Sequence, residues 1–163
     1  MAQNDKALLQ RLVEHKVEFV IIGGVCGVLH GLSLVTLDLD ICCSFDRENL
    51  RRLEAAVHDL NPRHRLATQK PPLKLTDELC DRLQNLYLQT DLGILDCLGS
   101  VAGIGGYQEV VNQSVPQALS IGVVRILSLD ALITAKTAAG RRKDLDAVTL
   151  LKSIKEKLNN ESP

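Results

Sequence analysis

Two acids, Asp38 and Asp40, stand inside the apolar run Leu37-Asp38-Leu39-Asp40-Ile41-Cys42-Cys43. Side chains on a strand alternate between faces, so a strand over 37–43 puts both acids on one face. Two neighbouring carboxylates repel each other and resist joint ionisation unless a cation sits between them. Just upstream, the run 19–22 ends at Gly23-Gly24. A glycine pair lets the backbone approach a bound group closely, and the free N–H groups that open the next helix suit phosphate oxygens. Hard divalent cations take carboxylate and phosphate oxygens together. A metal clamp beside a phosphate cradle predicts metal-dependent phosphoryl or nucleotidyl chemistry.

A two-metal site needs a further oxygen donor from a neighbouring strand. Asp96, inside Ile94-Leu95-Asp96-Cys97-Leu98, is the best candidate. Asp91 is the alternative, but it precedes Gly93 in a turn-like sequence where aspartate is common for its own reasons. Thr36 shares the face of Asp38 under the same alternation and is placed to support it. Leu129, Leu132, Ile133 and Lys136 follow helical spacing, which sets a lysine on an apolar stripe. Its amine either snorkels to solvent or reaches inward to an anion, and the stripe alone leaves both open. His30, with no second metal-type neighbour, reads as a backbone hydrogen-bonding residue.

The elements that must hold these groups follow from periodicity. Residues 6–17 have helical spacing, and 18–22 read as a strand ending at the glycine pair. A short helix over 25–30 and a strand over 37–43 come next. Asp46 caps a helix with the stripe Leu50, Leu53, Val57 and Leu60. Lys70-Pro71-Pro72 marks a loop to about 83, followed by β segments at 85–90 and 92–98. Four glycines in 99–106 predict a flexible loop. Residues 110–111 and 121–126 are strand candidates. Ser128 caps a helix that Gly140 stops, and 144–158 is a last amphipathic helix. Alternating strands and helices predict an α/β sheet flanked by helices.

Composition narrows the partners. The chain of 163 residues is 45% hydrophobic, enough for one core and one domain over 1–163. A net charge of −1 leaves no global attraction to nucleic acid or anionic membrane. Aromatic residues make up 2%, too few for a base-stacking platform. Five cysteines, with neither a C-x-x-C spacing nor a signal peptide at the polar start, predict reduced thiols in a cytoplasmic protein, with Cys26, Cys42 and Cys97 in the core. Residues 19–37 carry no formal charge, but four glycines, a histidine and the absence of a basic flank argue for strand, turn and helix over a membrane span.

The order Gly23-Gly24, His30-Gly31, Thr36-x-Asp38-x-Asp40, Asp96, then Lys136-x-Ala-Ala-Gly-Arg-x-Lys143-Asp144 resembles the nucleotidyltransferase superfamily. It is most similar to the small bacterial branch of minimal nucleotidyltransferases and abortive-infection toxins. The resemblance covers about 18–150. It implies a mixed sheet flanked by helices over about 18–126, with a C-terminal helical pair over about 128–158. It further implies that Asp38, Asp40 and Asp96 are catalytic and hold two Mg²⁺ ions, with Mn²⁺ as a substitute. Gly23, Gly24, Thr36, Lys136 and Lys143 would bind the NTP, and an acceptor hydroxyl would displace pyrophosphate. The acceptor stays open between a small molecule, a tRNA end and a protein side chain. An antitoxin partner belongs to the same resemblance, and a non-catalytic nucleotide- or partner-binding domain of this fold is the alternative. Two positions depart from the pattern: Leu34 stands where many relatives carry arginine, and Ala147 where many carry a second distal aspartate.

Overall fold

The computed structural model describes residues 2–162. Its first helix, α1 (Asp5–Glu14), is capped by the Asn4 side chain, which accepts from the Ala7 N–H, and buries Leu8, Leu9 and Leu12. The apolar run that follows forms β1 (Phe19–Ile21), buried throughout, and the chain turns directly into α2 (Gly23–Leu29). A connection over 30–38 leads to β2 (Leu39–Cys43), after which Asp46 caps α3 (Arg47–Val57). Next come the edge strand β3 (Arg63–His64), the short α4 (Asp77–Cys80), and the antiparallel pair β4 (Asn85–Thr90) and β5 (Gly93–Leu98).

A small hairpin of β6 (Ser100–Val101) and β7 (Gly105–Gly106) precedes α5 (Tyr107–Asn112), β8 (Ser114–Leu119) and β9 (Gly122–Leu127). The chain closes with α6 (Leu129–Ala139) and α7 (Arg142–Glu161), which pack on each other.

Seven strands make one mixed sheet in the order β3-β4-β5-β2-β1-β9-β8. The centre is held by parallel pairing of β2 with β5 and of β1 with β9, joined by antiparallel β1–β2. Period-two alternation is visible in β4, where Leu86, Leu88 and Thr90 are buried while Tyr87 and Gln89 are half-buried. The same inward face carries Leu39, Ile41, Leu95 and Cys97, which share one core with the leucines of α1 and α3. Pro116, which cannot donate to a ladder, lies on the edge strand β8. All five cysteines are free and buried, so Cys43 and Cys80 join the three expected in the core.

Several elements differ from the sequence reading. The β2 ladder starts at Leu39, leaving Leu37 and Asp38 on the approach to the strand. The α2 helix starts at Gly23, two residues earlier than the spacing indicates. Val110 and Val111 lie on α5: their β-branching favours strand locally, but burial of Val110 on a helix face overrides so weak a preference. The glycine-rich stretch is a paired hairpin, with Ser100 opposite Gly106 and Val101 opposite Gly105. Within the expected 70–83 loop, the Thr76 hydroxyl caps α4 by accepting from the Leu79 N–H. The terminal helix begins two residues early, because Gly140 at φ +67° reverses the chain and α7 follows at once.

No helix among the described residues is long and apolar enough to cross a membrane.

Candidate active site

Parallel pairing of β2 with β5 sets Asp40 in register with Asp96, and antiparallel pairing sets Asp96 in register with Tyr87. Partners in register share a face. The row extends one strand further, because the Arg65 N–H donates to the Tyr87 carbonyl at 3.0 Å. Arg65, Tyr87, Asp96 and Asp40 therefore form one line across four neighbouring chain segments. Asp38 joins them from just before β2. One carboxylate oxygen from each of Asp38, Asp40 and Asp96 lies within 4.8 Å of the other two. Asp96 is buried, at 5% exposure, while Asp38 and Asp40 are half-buried.

Gly23 is the residue this cluster cannot do without. It has φ +64°, and a Cβ there would lie 2.2 Å from Asp40 Oδ2. The glycine thus leaves room for the Asp40 carboxylate itself, a tighter demand than approach of a ligand. A Cβ at Gly24 would meet the Thr36 methyl at 3.1 Å and the Leu34 Cδ1 at 3.8 Å, both side chains.

The electrostatics of the cluster are unbalanced. Burial pushes the Asp40 carboxyl up to about 6, Asp38 and Asp96 push in the same direction, and Lys136 and Lys143 oppose them. Arg65 supplies the nearest counter-charge: Nε donates to Asp96 Oδ1 at 2.9 Å and Nη2 to Oδ2. Its guanidinium also lies over the Tyr87 ring, 5.6 Å from the centroid. No sequence spacing marks Arg65, which sits between the end of a helix and the Lys70-Pro71-Pro72 loop in a stretch given no element; only the register beside Tyr87 reveals it.

The distal lysine approaches the cluster from the C-terminal helices. Lys136 Nζ lies 3.7 Å from Asp144 Oδ1, with the Lys136 side chain 13% exposed. Arg141 Nε donates to Asp144 Oδ2 at 2.6 Å and Nη2 to Oδ1 at 3.3 Å. Burial alone would push the Asp144 carboxyl up; the Arg141 fork and the charges of Lys136 and Lys143 outweigh it and hold the group below its ordinary 3.8. Asp144, part of the distal motif but given no role by the sequence, is the shared partner of Lys136 and Arg141. Replacing it by asparagine leaves Lys136 and Arg141 without their charged partner, and Asp144→Asn should lose about 2 kcal/mol of stability at pH 7. A depressed folded-state pKa contributes stability above the unfolded value that is lost as pH falls. Urea unfolding should therefore show the gap between wild type and variant closing below about pH 3.8, the ordinary value for this group.

Other expected residues take their places as follows. The Thr36 hydroxyl donates to Asp5 Oδ2 at 3.0 Å, which ties the 30–38 connection to α1. Lys143 is exposed in the first turn of α7. Asp91 is exposed in the β4–β5 turn, where it accepts from the Asn61 amide and lies outside the carboxylate cluster. His30 Nε2 donates to the Leu127 carbonyl at 2.7 Å, a backbone contact of the expected kind.

Three carboxylates without an imidazole or thiolate in the group form an oxygen-only donor set, which suits Mg²⁺ or Mn²⁺ better than zinc. The raised Asp40 carboxyl is the energetic counterpart: the cluster is short of positive charge.

No protein-family model and no curated protein matches the chain by sequence. Solved structures do share its fold. The lincomycin-bound lincosamide antibiotic adenylyltransferase LnuA superposes with a TM-score of 0.63 at 17% identity, over 94% of this chain and 99% of that one. A candidate nucleotidyltransferase from Thermotoga maritima superposes with a TM-score of 0.53 at 15% identity, over 94% of this chain and 89% of that one. With its mixed seven-stranded sheet and packed C-terminal helices, this chain has the nucleotidyltransferase fold.

Proposed function

We propose that this protein is a divalent-metal-dependent nucleotidyltransferase that moves an NMP unit from an NTP to an acceptor hydroxyl. The convergence of Asp38, Asp40 and Asp96, with ligand oxygens within 4.8 Å of one another, carries this reading. In the reaction the acceptor oxygen forms a bond to the α-phosphorus while the bond from that phosphorus to the β-bridging oxygen breaks. Pyrophosphate leaves, and the hydroxyl proton departs towards the carboxylates and solvent. Bound Mg²⁺, or Mn²⁺ in its place, would supply charge neutralisation at the attacking and leaving oxygens.

The protein's own groups have definite tasks in this scheme. Asp38, Asp40 and Asp96 would hold the cations. Gly23 lets Asp40 stand where it does, and Gly24 keeps the start of α2 bare for phosphate. Lys136 offers a point charge to the phosphate oxygens, with Asp144 fixing its direction, and Lys143 adds a second, solvent-facing charge. Lys136→Met keeps the stem and removes the charge. It should weaken NTP binding by about 1.5–3 kcal/mol, the range for a hydrogen bond to a charged group, as measured by calorimetry with Mg²⁺ present. Unaltered affinity would leave Lys143 as the distal phosphate contact.

The whole reading is tested by incubating the protein with NTPs labelled at the α-phosphate and cellular RNA, protein and metabolite fractions. Label should move to one fraction in wild type and to none in Asp38→Asn. A non-catalytic nucleotide-binding domain is the second reading, favoured by the two-point grip of Arg65 on Asp96, which competes with a cation for both carboxylate oxygens. Under that reading NTP binds and label stays in the NTP.

A further inference from the structure

The tasks above leave Arg65 without one, and its position is costly for a metal site. Both oxygens of Asp96 are engaged by its guanidinium, and the Arg65 side chain is 24% exposed against 7% for Asp96. A fixed positive charge beside three candidate metal ligands opposes cation binding by Coulomb repulsion. Asp96 needs a partner when it is buried, but with a cation bound to the cluster that partner need not carry a charge.

Three observations point to what the charge is for. First, the guanidinium is already braced from below by the Tyr87 ring, an arrangement that suits planar two-point recognition of an anion. Second, Arg65 and Tyr87 extend the carboxylate row away from Asp40, towards the sheet edge at β3, whereas Lys136 and Lys143 approach Asp40 from the C-terminal helices. Under the proposed reading the NTP phosphates therefore lie on the side of the cluster away from the arginine. Third, the segment around Arg65 is one-signed: Arg63, Lys70 and Lys74 are exposed, no acid lies between Asp59 and Asp77, and none of these three has a carboxylate within ion-pair distance among the described residues. In a chain of net charge −1 this is a local concentration, not a general bias.

We propose that Arg65 is a specificity residue for the acceptor: it selects a molecule that carries a phosphate beside the hydroxyl to be modified. This deepens the nucleotidyltransferase reading and rests on it. Without metal, Arg65 neutralises Asp96. When a cation takes up the charge of the three acids, the half-buried guanidinium is short of an anion, and the acceptor phosphate meets it over the Tyr87 ring. The phosphate could belong to a small sugar phosphate or to the end of a nucleic-acid strand. Arg63, Lys70 and Lys74 would add to the second case through counter-ion release.

The test has two independent readouts. Mn²⁺ titration of nucleotide-free protein, followed by electron paramagnetic resonance, should give about tenfold tighter binding in Arg65→Met than in wild type, and no such gain in Arg65→Lys, which keeps the charge. Weaker or equal Mn²⁺ binding in Arg65→Met would make the arginine a structural brace for Asp96 and overturn the proposal. Acceptor binding is then measured by saturation-transfer NMR with Mg²⁺ and a non-hydrolysable ATP analogue present, using ribose against ribose 5-phosphate, and a trinucleotide with a free 3′-hydroxyl.

At least one phosphate-bearing ligand should bind about tenfold tighter than ribose, the scale of a charge-assisted hydrogen bond, and Arg65→Met should abolish the difference. Ribose 5-phosphate alone identifies a small acceptor. The trinucleotide alone, weakened in the exposed double variant Lys70→Gln/Lys74→Gln, identifies a strand end. Equal binding of ribose and ribose 5-phosphate with no trinucleotide binding, or a preference that survives in Arg65→Met, overturns the proposal while leaving the enzyme reading intact. Failure of Mn²⁺ and the ATP analogue to bind wild type sinks both. Folding of each variant is checked by its thermal midpoint, and Lys70 and Lys74 are both exposed.

Discussion

Asp40→Asn should abolish nucleotide transfer, by roughly 10³-fold or more, the upper end for removing one preorganised electrostatic group. In the absence of metal it should also make the protein more stable. Burial and the neighbouring carboxylates raise the Asp40 pKa from 3.8 to about 6, so the folded state resists its ionisation. A raised folded-state pKa gives stability that is fully present below the unfolded value and is lost as pH rises through the folded one. Wild type in EDTA should therefore lose about 3 kcal/mol between pH 4 and pH 7, at 1.36 kcal/mol per pKa unit. Asparagine has no proton to lose, so the variant should not follow that decline. Urea unfolding of both proteins across this range measures the difference, and added Mg²⁺ should restore wild type at pH 7 with little effect on the variant. Parallel stability curves, or near-normal transfer by the variant, would remove Asp40 from the metal site.

Gly23→Ala should be the most damaging single methyl at the carboxylate cluster. The residue has φ +64°, which costs a side-chain-bearing residue about 1–2 kcal/mol. The new Cβ would also lie 2.2 Å from Asp40 Oδ2, so either the carboxylate or the start of α2 must move. Together these should destabilise the protein by about 2–4 kcal/mol and weaken Mn²⁺ binding about tenfold, taking one misplaced carboxylate as a lost charge-assisted contact. Gly24→Ala is the control, since its neighbour is the Thr36 methyl at 3.1 Å and its φ needs no glycine. The double variant Gly23→Ala/Asp40→Ala should recover the part of the steric loss due to the carboxylate and keep both the backbone part and the 2.8 Å approach to the Asp40 Cβ, a non-additivity that neighbouring residues are expected to show. A Gly23→Ala protein as stable as Gly24→Ala would contradict the close packing of glycine on carboxylate.

These two variants probe a part of the protein that its sequence displays openly. Charged residues inside apolar runs are conspicuous because burial without a partner is so costly, and Asp38, Asp40 and Asp96 stand out for that reason. Glycine pairs, capping residues and helical stripes are equally local, so Gly23-Gly24, the Ser128 cap and the Gly140 stop are legible without a fold.

Where local preference was weak it misled. Val110 and Val111 read as strand and lie on α5, and the glycines over 99–106 read as a free loop and form the β6–β7 hairpin. In both, tertiary packing outweighs a preference worth a fraction of a kcal/mol.

Neither Arg65 nor Asp144 carries a local signal of its role. Arg65 meets Asp96 only because β3, β4 and β5 pair in one register, and Asp144 meets Lys136 only because Gly140 folds α7 back along α6. Gly23 shows the same division within one residue: its type is written in the sequence, while its reason, the Asp40 carboxylate occupying the place of a side chain, exists only once β2 lies beside α2. A sequence records which groups are costly to bury alone; which group relieves that cost depends on strand register and chain reversal, set by the packing of the whole chain.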